Sequence, residues 1–297
     1  MKNVYLAVLA ALLASILLIP LIAVASPVNS DIQNSPQLSQ TAQVRLKVTE
    51  TSEIKKIDLA DYIFGAVAAY TFYLFRKGEN SDKGYDITDS HITDQAYLNG
   101  DELKEKWGDA YAANSEKIKS AVASVSGMAV TYQGKPILAA YHAISPGKTQ
   151  SAADVWGGEY PYLTVVDSIG DLLCPEYLSS VTVNVDELKK ALNGKVEFSG
   201  EAKNWIGKAV SNSGGGVKTI KICGTALEGS TVRDLLKLRS TSFDVAYSAD
   251  KGFTFTVRGY GHGVGMSQYG ANYMALQGST YMEILSWYYP GCQLQKI

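Results

Sequence analysis

Cysteine and histidine are both scarce in this sequence, three of each in 297 residues. Cys174, Cys223 and Cys292 are scattered and odd in number, and no C-x-x-C occurs. That argues against a disulfide framework and leaves one pair at most, in a domain outside the cytoplasm. His91, His142 and His262 are too dispersed to imply zinc from spacing, and H-E-x-x-H is missing. Lys plus Arg, at 27, fall just short of Asp plus Glu, at 29, so no basic excess points to nucleic acid. No internal repeat is visible. A dinucleotide fingerprint is excluded by phase, because Val264 or Met266 stands where G-x-G-x-x-G needs its third glycine.

What the chain does have is one dense stretch, Arg258 to Ala271, R-G-Y-G-H-G-V-G-M-S-Q-Y-G-A. Alternating glycines permit positive φ and a close approach by neighbouring backbone. Phe253, Phe255 and Val257 alternate with threonines before it, as in a strand with one buried face. Ser267 to Gln277 follows as a helix stopped by Gly278. Strand, glycine loop and helix would present backbone N–H groups and His262 to a ligand. The plain alternative is a tight turn with His262 hydrogen-bonded inside it. Nineteen tyrosines and four tryptophans add faces that stack on sugar rings, although most belong to the core.

Val4 to Ala25 is almost wholly apolar, and about twenty such residues span a bilayer. Residues 1–26 are expected to be a single-pass anchor, with Ala23-Val24-Ala25 as the cleavage site of the alternative, a signal peptide. Either way the remainder is exported. Residues 27–42 are polar and aperiodic, a flexible linker, and the folded domain is expected over 43–297. Val44 to Val48 and Ile54 to Leu59 are candidate partner strands, and Asp61 caps the helix that follows. Ser115 to Val125 is a short helix, and Val130 to Tyr141 a hairpin across Gln133-Gly134. Val181 to Val185 is a strand, Asp186 caps a helix, and Gly214-Gly215-Gly216 forms a mobile loop. Phe243 to Tyr247 pairs with Phe253 to Val257, and Thr280-x-x-Glu283 is a capping box. These elements give an α+β fold, mostly antiparallel strands with several short helices.

Three ordered signatures resemble the stage II sporulation protein D family (the SpoIID/LytB domain). One is the glycine stretch followed by Y-M-E-I-L-S-W-Y-Y-P-G from Tyr281. A second is Y-H-A-I-S-P-G-K-T from Tyr141, with Trp156-Gly157 and Pro161-Tyr162-Leu163 after it; Pro146 replaces the first glycine of the family's usual pair. The third, from Gly229 to Ser240, carries Arg233 and Arg239. The resemblance runs from about Gln43 to Gly291 and implies a single SpoIID/LytB-like domain behind the membrane segment.

The resemblance also implies an activity. The family is one of peptidoglycan lytic transglycosylases, which cut between N-acetylmuramic acid and N-acetylglucosamine in peptide-stripped glycan strands. Ordinary glycosidases use two carboxylates. Here one protonated glutamate suffices, because the sugar's own primary hydroxyl is the nucleophile and the product is an anhydro sugar. The family pattern G-x-V-A-A continues into E-M-P and later into a helix ending A-V-A-A-x-T-Y. In this chain Gly65 to Ala69 runs straight into Tyr70-Thr71-Phe72-Tyr73, as if the intervening piece, with its glutamate, were deleted. No catalytic residue is therefore assigned, and a glycan-binding or scaffolding member without the acid is the alternative. The expected substrate-binding set is His142, Ser145, Lys148, Thr149, Arg233, Arg239, His262, Ser267, Gln268 and Tyr269. His142, Ser145, Lys148 and Thr149 have loop-fixing hydrogen bonding as their other reading, and Arg233 and Arg239 have salt bridges. Relatives carry extra cysteines near the position of His142; this chain does not, so no metal or other cofactor is expected. Implied partners are glycan strands, the membrane, and stage II sporulation proteins P (an amidase) and M (a scaffold). The implied place is the mother-cell membrane facing the forespore, during engulfment.

Overall fold

The computed structural model describes residues 43–47, 54–58, 67–90, 93–94 and 99–297. The apolar N-terminal run, the linker and the Asp61 cap lie outside the described residues. Among the described residues no helix is long and apolar enough to cross a membrane. Helices and mainly antiparallel sheets make the fold α+β, in two compact units, one of residues 1–139 with 291–297 and one of residues 140–290.

In the first unit, β1 (Gln43–Lys47) and β2 (Ile54–Asp58) pair antiparallel, Gln43 opposite Asp58. Helix α1 (Val67–Glu79) runs unbroken through the Ala69–Tyr70 join. Its buried face includes Thr71, whose hydroxyl donates to the Val67 carbonyl at 2.6 Å and accepts from the Val130 N–H at 2.9 Å. A polar side chain in the core is thus fully satisfied, as burial demands. Strand β3 (Ile87–Thr88) lies parallel to β1. Helix α2 (Gly100–Trp107) starts on an Asn99–Glu102 capping box, and α3 (Tyr111–Ser124) begins earlier than Ser115. Strands β4 (Met128–Tyr132) and β5 (Lys135–Pro136) form the expected hairpin, with Gln133 and Gly134 both at positive φ, 51° and 76°. Such a pair matches the twist of the strands that it joins. The terminal strand Gln293–Lys296 pairs antiparallel with β4.

The second unit begins with β6 (Tyr141–His142), α4 (Ala152–Trp156) and a 3-10 turn, Ile169–Leu173. Next come β7 (Leu178–Val183), α5 (Val185–Ala191), β8 (Ile206–Ser211), β9 (Val217–Ile222) and β10 (Thr225–Glu228). Helix α6 (Gly229–Leu236), β11 (Phe243–Ser248) and β12 (Gly252–Arg258) follow. Strand β13 (Met266–Ser267), α7 (Gln268–Leu276) and α8 (Tyr281–Tyr288) complete the unit. Two three-stranded antiparallel sheets, β10-β9-β8 and β11-β12-β7, contribute to one core. Phe253, Phe255 and Val257 alternate into it and are fully buried, beside Leu188, Leu192, Trp205, Ile220, Ile222 and Val232. The period-two pattern of β12 is what turns these side chains to one face. That core holds rigid the strand that delivers the glycine loop.

Two expectations need correction. Asp186 does not cap α5. Asn184 does, its Oδ1 accepting from the N–H groups of Asp186 at 3.0 Å and Glu187 at 2.9 Å, while Glu187 accepts from the Asn184 N–H at 2.8 Å. The capping box needs its acid three residues after the cap, and only Asn184 has one there. The Gly214–Gly216 loop is pinned rather than mobile. Asn212 Oδ1 accepts from the N–H groups of Gly214 at 3.1 Å and Gly216 at 2.9 Å. Glycine is needed here for closeness, since a Cβ on Gly216 would sit 2.1 Å from Gln150 Oε1.

Candidate functional site

Two of the signatures, far apart in the chain, are zipped together along their backbones. Strands β6 and β13 pair in parallel, Tyr141 opposite Met266 and His142 opposite Ser267. Ile144 and Tyr260 exchange N–H to carbonyl bonds at 3.1 and 2.7 Å, and the Gln150 N–H donates to the Gly263 carbonyl at 2.7 Å. The third signature joins them where the Gly261 N–H donates to the Arg239 carbonyl at 2.9 Å. Gln150 clips the assembly from one side. Its Nε2 donates to the His262 carbonyl at 3.2 Å and to Thr241 Oγ1 at 3.3 Å, and its Oε1 accepts from Asn212 Nδ2 at 2.7 Å.

Aromatic rings line up along this seam. The His262 ring lies 5.0 Å from Trp156 and 5.8 Å from His142. Trp156 ends α4, a short helix started by the Ser151 cap and stopped by Gly157 at a φ of 74°. Trp156 is 46% exposed, beside a half-buried His262. His262 Nδ1 accepts from the Val264 N–H at 3.1 Å. His142 Nδ1 faces the Val264 carbonyl at 3.2 Å and so must be the protonated nitrogen of its ring. Burial pushes both imidazoles down from 6.5: His142 to about 3, with the neighbouring His262 adding to the effect, and His262 to about 4, with the Arg233 charge adding. Both are neutral at pH 7, and a neutral imidazole can hydrogen-bond uncharged hydroxyl groups.

Beneath the seam lies a carboxylate that the sequence reading missed. Asp171 is fully buried and accepts from the Ser145 N–H at 2.9 Å, Ser145 Oγ at 2.5 Å and Ser267 Oγ at 2.7 Å. Burial raises its carboxyl above the usual range, and hydrogen bonds from Ser145, Ser267 and Ser168 work against that. The I-G-D-L-L context around it carries no periodic signal. Asp171 ties the loop after β6 to the cap of α7, where Ser267 Oγ also accepts from the Gly270 N–H at 3.3 Å.

The expected binding residues therefore divide. His142 and His262 meet at the seam, where the Arg239 carbonyl joins the glycine loop, but His142 is itself buried. Ser145, Thr149 and Ser267 belong inside the scaffold rather than on a sugar-binding rim, because each is buried and its hydroxyl is bonded within the loops. Thr149 Oγ1 donates to the Thr164 carbonyl at 2.9 Å and accepts from the Val166 N–H at 2.9 Å. Gln268 is buried at the start of α7, and the Tyr269 hydroxyl donates to the Leu173 carbonyl at 3.3 Å. Lys148 is exposed and pairs with Asp167 at 3.2 Å, a surface contact of little energy. Arg239 lies over the Tyr260 ring at 4.4 Å and bonds Glu176 at 3.1 Å, so its charge is already matched. Glu283 caps α8 as its spacing implies, accepting from the Thr280 N–H at 2.8 Å.

Among the described residues, no group of three or more His, Cys, Asp or Glu is arranged to hold a metal ion. All three cysteines are free thiols.

No protein-family model matches the sequence. Stage II sporulation protein D of Bacillus amyloliquefaciens is 35% identical over 271 residues, covering 84% of this chain and 77% of that protein. The protein of the same name from Bacillus subtilis (strain 168) is 34% identical over 270 residues, with the same coverage. An amidase enhancer from Bacillus subtilis (strain 168) is 30% identical over 235 residues, 62% of this chain but only 33% of that protein. With such similarity spread over most of both chains, this protein belongs to the stage II sporulation protein D family.

Proposed function

We propose that this chain holds peptide-stripped glycan strands of peptidoglycan during sporulation, and that it does so without cutting them. The observation that carries the reading is the Trp156–His262 pair. An exposed indole beside a neutral imidazole offers a sugar ring an apolar face to stack on. Membership of the family supports the sporulation role, and the relative named an amidase enhancer supports a cell-wall setting.

Cleavage to an anhydro sugar needs a protonated carboxyl against the leaving oxygen. Among the described residues neither acid at the seam supplies one. Asp171 is buried and bonded to Ser145 and Ser267, and Glu176 is held in an ion pair with Arg239. A positioned general acid contributes about 10²–10⁴-fold, so its loss silences turnover. The partners of the proposal are the glycan strand, the membrane through the N-terminal run, and the sporulation proteins P and M.

Trp156→Ala is expected to weaken binding of a GlcNAc–MurNAc oligosaccharide about tenfold, or ~1.4 kcal/mol, with an unchanged melting temperature. Titration calorimetry on parent and variant checks this. The same oligosaccharide incubated with the parent should yield no anhydro-ended products by mass spectrometry. Products at a turnover typical of enzymes would restore the lytic transglycosylase reading.

A further inference from the structure

The 3-10 turn Ile169–Leu173, I-G-D-L-L, is built inside out, with its polar residue in the core and its aliphatic residues in water. Asp171 is fully buried and accepts from Ser145 and Ser267, and Gly170 lies so close to α7 that a Cβ would fall 2.5 Å from the Tyr273 ring. Ile169 and Leu173 are 67% and 64% exposed, the two most exposed large apolar side chains among the described residues, and Leu172 is 50% exposed. A 3-10 turn repeats every three residues, so Ile169 and Leu172 project to one side. Apolar side chains exposed singly are ordinary, but three on one turn form a patch that calls for a partner. The turn is also fixed at both ends. The Ser168 N–H donates to the Gly147 carbonyl at 2.9 Å, and the Leu173 carbonyl accepts from the Tyr269 hydroxyl at 3.3 Å.

What surrounds the turn says what covers it. Trp287, on α8, is 48% exposed and donates its indole N–H to the carbonyl of Asp167, two residues before Ile169, at 2.8 Å. The Asp167 carboxylate pairs with the exposed Lys148. An aliphatic tip with tryptophan and lysine at its base has the order of a bilayer interface, where aliphatic groups meet hydrocarbon and indole and ammonium groups sit among headgroups. Hot spots between proteins are composed otherwise, rich in tryptophan, tyrosine and arginine and poor in leucine. The chain also carries its own means of staying near lipid. Val4 to Ala25 is apolar for the thickness of a bilayer, with only residues 26–42 between it and β1. Three side chains hold lipid weakly by themselves, yet a second contact on a tethered chain is intramolecular and gains from a high effective concentration.

We propose that the Ile169–Leu173 turn dips into the surface of a phospholipid bilayer, with Trp287 at headgroup depth, as a second membrane contact in addition to the N-terminal run. The contact fixes which face of the second unit looks at the bilayer, something a tether alone leaves open. It stands independently of the glycan reading.

The test uses the full chain in vesicles of phosphatidylcholine and phosphatidylglycerol, with and without acyl chains brominated near the headgroup, and reads tryptophan emission. The apolar run contains no tryptophan, and Trp107 and Trp205 are buried, so quenching by the lipid reports Trp156 or Trp287. The parent is expected to lose about a quarter of its emission, the share of one indole in four. Trp287→Phe should abolish that loss and Trp156→Phe should keep it. Ile169→Ser combined with Leu173→Ser should also abolish it, with an unchanged melting temperature because both side chains are exposed. An unquenched parent overturns the proposal. Quenching that survives in Trp287→Phe places the lipid at Trp156, and quenching that survives in the folded double variant shows that the turn is not inserted; either overturns it too. An unquenched parent that sediments as a dimer, and a double variant that does not, would give the turn to a second copy of the chain instead.

Discussion

Gly265→Ala is expected to destabilise the second unit by about 3 kcal/mol or more, two effects adding at one position. The first is conformational. Gly265 has a φ of 72°, where an L side chain is strained by about 1–3 kcal/mol. The second is steric. A Cβ would lie 2.0 Å from the Ala140 carbonyl oxygen, and that oxygen is not free to retreat. It accepts from the Met266 N–H at 3.0 Å and from the Tyr289 hydroxyl at 2.8 Å, so moving it loosens the β6–β13 pairing and the anchor of a buried tyrosine. Gly278→Ala is the control. Its φ is 92° but nothing lies within 4 Å of a Cβ, so it carries the conformational cost alone. Urea midpoints for the two variants separate the effects. Equal losses would mean that the close approach at Ala140 does not constrain the loop.

The contrast shows what the sequence could and could not disclose. That the glycine stretch is strand, loop and helix was legible, because β12 alternates and Ser267 stands where a cap belongs. What the loop packs against was not. The bond between His142 and the Val264 carbonyl joins residues 122 positions apart, and no local pattern marks such a partner. The resemblance ordered the signatures along the chain without saying that they zip together. The buried serines show the same limit. A serine on a loop is chemically equal on a rim or under it, and only the position of Asp171 decides that Ser145 and Ser267 face inward. The caps at Asn184 and at Thr280 obey one rule, and the first was misplaced by two residues because Asp186 is also a good cap by type. Gly214 to Gly216 suggested mobility by composition, while the side chain of Asn212 holds that turn closed.

Acid is expected to destabilise the second unit well above the pH at which ordinary carboxylates titrate. His142 and His262 have folded-state values of about 3 and about 4, against 6.5 for a free imidazole. A depressed value means that the unfolded chain binds the proton first. The stability each ring contributes is therefore complete above about pH 6.5 and is lost as pH falls toward the folded-state values. Each pH unit in that window is worth about 1.4 kcal/mol per ring, so His142 alone accounts for roughly 3 kcal/mol by pH 4. Asp171 acts in the opposite sense. Its raised value means that the folded state takes up the proton first, so acid relieves a penalty that is present at neutral pH. The relief concerns one carboxyl that three hydroxyls partly satisfy, and the two imidazoles outweigh it. Urea midpoints measured from pH 7 to 4.5 should fall steadily, and His142→Gln should flatten the slope by about half while keeping a donor for the Val264 carbonyl. Asp171→Asn should steepen it, since the opposing group is gone. A parent midpoint that stays level from pH 6.5 to 4.5 would show that the rings take up protons without cost, and that the seam around His262 is open to water.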